Sequence, residues 1–291
     1  MIDLLQRLLP RSLRQPTPVP DALWRTTLNA HPFLSALDAE ERGRLRLLCT
    51  HFLAEKEFHG ANELALTDAM ALAIAAQACL PLLHMHGTSG EAVRDPLKLL
   101  DWYGDFVGIV VQPGAVVARR KTTDGAGVVH HHDEVLAGEA MDRGPLMLSW
   151  EEVAHASVAA ESGSNVVIHE FVHKMDMRGI SLGEHPDGAP PLPKGFMGTR
   201  SGIEARSLWR QTMQVAFDEF RDAVTMAQRF GAQRPWLDDY AAKDPAEFFA
   251  VTCEAYFVSR HRFAQEFPAL VALYDGFFRP ASSTMNKARA D

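Results

Sequence analysis

Cysteine is scarce in this chain. The 291 residues hold three, Cys49, Cys79 and Cys253, with no CxxC pair among them. An odd, widely spaced set builds no disulfide framework, which excludes a small secreted scaffold and fits a reducing cytoplasm. A basic excess is missing too. Lys and Arg number 29 against 37 Asp and Glu, a formal net charge of −8, so the overall charge draws the chain neither to nucleic acid nor to an anionic membrane. No apolar run is long enough for a bilayer. The longest, "AMALAIAAQACLPLL" (69–83), contains Gln77 and Pro81 and reads as a buried core helix. The opening "MIDLLQRLLPRSLRQ" is amphipathic but interrupted by Asp3, Gln6 and Arg7. It lacks a small-residue cleavage site and reads as a poor secretory signal.

What is present is ordinary for a globular protein, 47% hydrophobic and 23% charged. Residues 1–20 end in the proline-rich connector "RQPTPVP". One ordered domain is expected over 21–280, with Asp21 as its first helix cap, followed by a polar tail over 281–291 with too little apolar surface to fold alone. From 21 to 95 the apolar spacing is helical, as in "DAEERGRLRLLCTHFLAEKEF". Between 100 and 150 the β-branched runs "FVGIVVQPGAVVARRK" and "GPLMLSW" predict a small sheet, with "GPLMLSW" a candidate edge on which an extended peptide could pair its backbone. After 160 helical spacing returns, with "SLWRQTMQVAFDEFRDAVTMAQRF" and "DPAEFFAVTCEAYFVSRHRFAQEF" as two long helices. The expected class is α+β, mainly α.

Directly after the predicted sheet stands "NVVIHEFVHKMDM" (165–177). Four helical residues turn through ~400°, so His169 and His173 face the same way one turn apart, with Glu170 ~100° round. Two imidazoles so placed can hold one metal ion, and the carboxylate beside them can act on a water. On an apolar helix, such groups would be costly to bury without a shared partner. Zinc is the expected ion, and it requires a third protein ligand. HExxHxxGxxH is excluded, because Asp176 and Gly179 stand where that pattern needs Gly and His. The remaining candidates are Glu184, Glu204, Glu219, Glu247, Glu254 and Glu266. Glu184 lies in the loop "RGISLGEHPDGAPPLPKG" beside His185, and Glu204, Glu219 and Glu266 have polar surroundings.

Glu247 and Glu254 stand out, seven residues apart and so within ~20° on one helical face, among Phe248, Phe249, Val251 and Tyr256. "DPAE" is also a helix start in which Glu247 could close a capping box on Asp244. Asp176 could orient a ligand imidazole or lie on the surface at a helix end. His130, His131 and His132, in "VVHHHDE", read as a solvated hairpin tip and stay outside the site.

"NVVIHEFVHKMDM" and "YAAKDPAEFFAV", with "PDALW", "IAAQACLPLL" and "GEAMDRGPLMLSW", resemble the Mlc titration factor A family of zinc metallopeptidases over roughly residues 20–278. The anthrax lethal factor catalytic domain is similar over the two core motifs. The resemblance implies a zincin-like core with His169, His173 and Glu247 as zinc ligands, Glu170 as general base, and Tyr240 facing the site. It moves Glu254 to a supporting or core role. It implies a peptide or protein substrate, aminopeptidase-like action on small peptides, and binding of an Mlc-like transcription repressor. The competing expectation is a regulator that sequesters such a repressor, with peptidase activity secondary.

Overall fold

The computed structural model describes residues 16–280 except 89, 115, 124–128, 137, 141–143 and 179–184, with side chains described outside 115–143. The expected N-terminal stretch up to residue 15, the tail from 281, and Glu184 lie outside the described residues. Helices run α1 Asp21–Ala30, α2 Pro32–Ser35, α3 Ala39–Glu55 and α4 Asp68–Cys79, then α5 Trp150–Ala154, α6 Ala156–Ala159 and α7 Val166–Met177. The last group is α8 Gly202–Phe230, α9 Pro245–Val258, α10 Arg260–Glu266 and α11 Pro268–Phe278. Strands are β1 Glu57–Gly60, β2 Gly108–Gln112, β3 Val116–Thr123, β4 Val129–Leu136, β5 Gly138–Ala140 and β6 Leu146–Ser149. The α+β, mainly α class is observed. No helix among the described residues is long and apolar enough to cross a membrane.

The main sheet has the order β1-β2-β6-β5, parallel across the first three strands and antiparallel at β5. Three expectations change. Residues 57–60 lie in the stretch read as all-helical, yet they form β1. Four residues are too short to display a period of two, and their pairing with β2 is what extends them. Within "GPLMLSW", β6 is an interior strand bonded on both sides rather than an edge, and β5 is the terminal strand on that side. The backbone of His130–His132 pairs with Thr122–Arg120 inside the β3–β4 ladder rather than in the turn joining them. The side chains of these histidines lie outside the described residues.

Local chemistry explains the helix starts. Asp38 and Glu41 close a reciprocal capping box on α3. Thr67 caps α4, which is buried along most of its length, as the apolar run predicts. At α1 the cap position is Pro20, and Asp21 is instead an acidic residue in the first turn. The long helix expected over 244–267 is broken. Ser259 leaves helical geometry between α9 and α10, and Phe267 between α10 and α11. At the first break, Arg260 and Tyr256 both bond Asp275 of α11, at 2.7 and 2.8 Å and at 2.6 Å, so a tertiary contact redirects the chain. Buried apolar side chains from Val19 to Phe278 form one cluster around α7 and α9.

Asp176, at the end of α7, is buried and takes neither role considered for it. Its Oδ2 accepts the Gly188 N–H at 2.8 Å, and the Gly188 carbonyl accepts Trp209 Nε1–H at 2.7 Å. Burial pushes the Asp176 carboxyl up to about 6. This strap passes α9 so closely that a Cβ on Gly188, whose φ is +71°, would lie 2.5 Å from the Pro245 carbonyl oxygen. Gly188→Ala is therefore expected to cost about 2 kcal/mol or more from backbone strain and overlap. Chemical denaturation checks this, and unchanged stability would mean that the strap can move aside at no cost.

Candidate metal centre

Helix α7 begins where Asn165 accepts the Ile168 N–H at 3.0 Å. It buries Val167, Ile168, Phe171, Val172 and Met175 in the core. That face fixes the opposite one, from which His169 and His173 reach the first turn of α9. Asp244 caps α9 by accepting the Ala246 and Glu247 N–H groups, each at 3.0 Å. The Glu247 carboxylate does not turn back on Asp244 to complete a capping box. Its Oε2 lies 3.2 Å from His169 Nε2 and 3.2 Å from His173 Nε2, and the two Nε2 atoms are 3.1 Å apart. Among the described residues this is the one group of three His, Cys, Asp or Glu side chains placed to hold a metal ion.

The triangle fits a tetrahedral metal. Bonds of about 2.0–2.1 Å separate tetrahedral ligand atoms by about 3.3 Å, close to the three observed edges. The hydrogen bonding points the same way. His169 Nδ1 is 2.7 Å from Glu254 Oε1. A carboxylate accepts, so Nδ1 carries the proton and the neutral ring presents a lone pair at Nε2. That lone pair faces the Glu247 carboxylate and the second imidazole, an arrangement that calls for a cation at its centre. Burial lowers the His169 pKa, but the Glu254 charge and the hydrogen bonds to Glu247 and Glu254 outweigh it and hold the ring well above its usual value. Burial would raise the Glu247 carboxyl, yet bonds and charge from both histidines hold it well below the usual range.

Glu254 is thus a support for His169. Its Oε2 accepts the Asn165 N–H and, at 3.1 Å, the Ser164 hydroxyl. Asn165 Nδ2 in turn donates to Gln77 Oε1 of α4 at 2.7 Å. Sequence reading passed over Ser164, Asn165 and Gln77, although an Asn just before the apolar run is a visible cap signal. Glu170 is buried near His169, and its charge adds to the upward pull on that ring.

Tyr240 enters from a 3-10 turn over Asp239–Ala242, whose cap Asp238 accepts the Tyr240 N–H at 2.9 Å. The phenol donates to Glu247 Oε1 at 2.8 Å and accepts from Lys243 Nζ at 2.8 Å. Lys243 also reaches Glu247 Oε1 at 3.3 Å. Burial and the Glu247 carboxylate push the Tyr240 hydroxyl well up, which keeps it a donor at neutral pH. Lys243 is a second residue that sequence reading left out. Its spacing, three after Tyr240 and four before Glu247, is the available signal.

Helical packing around a small mixed sheet thus brings the HExxH helix against a later glutamate. Residues 6–279 match the model of the glucose-regulated metallo-peptidase M90 family, and the chain belongs to that family. It is 30% identical over 259 residues to Mlc titration factor A of Salmonella arizonae, covering 89% of this chain and 91% of the relative. The Serratia proteamaculans protein of that name is 30% identical over 270 residues, 93% of this chain and 91% of the relative. That of Pectobacterium atrosepticum is 31% identical over 256 residues, 88% and 85% respectively.

Because Glu254 aims an imidazole and Glu247 faces both histidine nitrogens, the two carboxylates are expected to separate on mutation. Glu254→Ala should weaken metal binding about 10–100-fold, whereas Glu247→Ala should nearly abolish it. Chelator competition measures both, and metal loss in the Glu254 variant alone would reverse the two assignments.

Proposed function

We propose that this protein is a cytoplasmic zinc-dependent peptidase with a gluzincin-type site. His169, His173 and Glu247 hold the ion, Glu170 is the general base, and Tyr240 donates to the developing oxyanion. The observation that carries the reading is the meeting of two Nε2 atoms and one carboxylate oxygen at 3.1–3.2 Å in a chain whose family is one of metallo-peptidases.

Held by His169, His173 and Glu247, zinc would supply Lewis acidity and make a nearby water more acidic. Glu170, one residue from a ligand and buried, takes the proton from the attacking water and returns it to the leaving amine. Tyr240 donates to the carbonyl oxygen as negative charge develops on it, exchanging its bond to Glu247 Oε1 for one made in the transition state. Strand β5 packs beside α7. Its outer edge suits an extended peptide that adds its backbone to the sheet. Aminopeptidase-like action on small peptides is the form the family resemblance favours.

The name carried by the relatives, Mlc titration factor A, supports a second role, binding of an Mlc-like transcription repressor.

Glu170→Gln should keep stoichiometric zinc and lose hydrolysis, while His169→Ala and His173→Ala release the ion. Full zinc content in both histidine variants would sink the site. If a repressor docks away from the ion, Glu170→Gln should also bind it with wild-type affinity. Tyr240→Phe keeps the ring and removes the donor, so zinc content and melting temperature should hold while kcat falls about 100-fold, as for other oxyanion donors. Full kcat in that variant would reduce Tyr240 to packing.

A further inference from the structure

The two oxygens of Glu247 have separate sets of neighbours. Oε2 faces His169 and His173. Oε1 faces away from them, where it accepts the Tyr240 hydroxyl at 2.8 Å and lies 3.3 Å from Lys243 Nζ. The ammonium also donates to the Tyr240 oxygen at 2.8 Å and lies 4.6 Å from the centre of the tyrosine ring. Lys243, the Tyr240 hydroxyl and Glu247 Oε1 therefore close a triangle on the outer side of the carboxylate. Its position is set by the chain itself: the 3-10 turn presents Tyr240, Asp244 starts α9, and Lys243 sits between them, four residues before Glu247.

The triangle creates a conflict that the proposed mechanism must resolve. A tyrosine that donates to Glu247 cannot donate to a substrate oxygen at the same time, since a phenol has one hydrogen. When it turns away, Oε1 loses its shortest bond, and a half-buried carboxylate oxygen without a donor is costly. An ammonium has three hydrogens and a flexible stem, so Lys243 can bond Oε1 and the phenol oxygen together and keep Oε1 when the phenol leaves.

We propose that Lys243 is a positioning residue that retains the outer oxygen of Glu247, so that Oε2 stays on the metal while Tyr240 is released to the reacting carbonyl. This rests on the peptidase reading for its rate effect and on the ligand geometry alone for its effect on zinc. Lys243 acts through two other side chains and touches no reacting atom.

The test is a double-mutant cycle on the full chain with Lys243→Met, Lys243→Arg, Tyr240→Phe and Tyr240→Phe/Lys243→Met, reading hydrolysis and zinc affinity by chelator competition. In Lys243→Met, kcat should fall about tenfold, the size of one charge-assisted hydrogen bond, with KM unchanged. Lys243→Arg should recover most of the loss. In the Tyr240→Phe background the methionine should cost no further kcat, since there is no phenol left to release. Zinc affinity should behave oppositely: either single variant leaves one donor on Oε1 and changes it little, and the double variant weakens it about tenfold beyond the product of the singles. Wild-type kcat in Lys243→Met, or rate losses that multiply in the double variant, would overturn the proposal. If the wild type itself hydrolyses no peptide, the functional reading falls, and the zinc arm decides alone. There, a double variant no weaker than the product of the singles overturns the role of Lys243.

Discussion

The site depends on one buried carboxylate outside the group formed by His169, His173 and Glu247. Glu254 is 4% exposed, and from α9 its carboxylate reaches the start of α7. A charge so buried would cost several kcal/mol without partners. Here one oxygen takes the backbone N–H of the helix cap and a serine hydroxyl, and the other takes the Nδ1 proton of His169. The positive end of the α7 dipole favours the same charge. One carboxylate thus fixes where the HExxH helix begins relative to α9 and which nitrogen of His169 faces Glu247. Gln77 extends the arrangement to α4 through Asn165, so three core helices share one polar junction.

The chemistry of α7 was legible in its letters, since a four-residue spacing fixes a common face whatever surrounds it. Glu247 was harder. "DPAE" specifies a helix start, and Asp244 does cap it. The direction of the Glu247 carboxylate is decided by histidines more than 70 residues earlier in the chain, and no local pattern can see them. The same holds for Glu254, whose partners are 85 to 90 residues away. The family resemblance drew Glu247 and Tyr240 toward the site, and it left Lys243 unread although Lys243 sits between them.

Misreadings of the fold have the same origin. β1 is four residues long and owes its conformation to the strand beside it. β6 reads as an edge from its position in the chain, yet β5, three residues long, covers it. The break at Ser259 has neither Gly nor Pro to announce it. It follows from Asp275, on α11, which gathers Tyr256 and Arg260 and turns the chain between them. Elements whose ends are set by their own side chains, such as α3 with its capping box, were visible, and those set by distant partners were not.

Glu247 and Glu254 ride on one helix, two turns apart. The carboxylate that faces both imidazoles and the one that aims His169 therefore cannot be displaced separately. A shift of α9 by an ångström would spoil ligand distance and imidazole orientation in the same movement, and the Gly188 strap pressed against Pro245 stands in the way of such a shift. The seating of one helix thereby sets both features of the centre at once, the spacing of its three facing atoms and the tilt of its first imidazole.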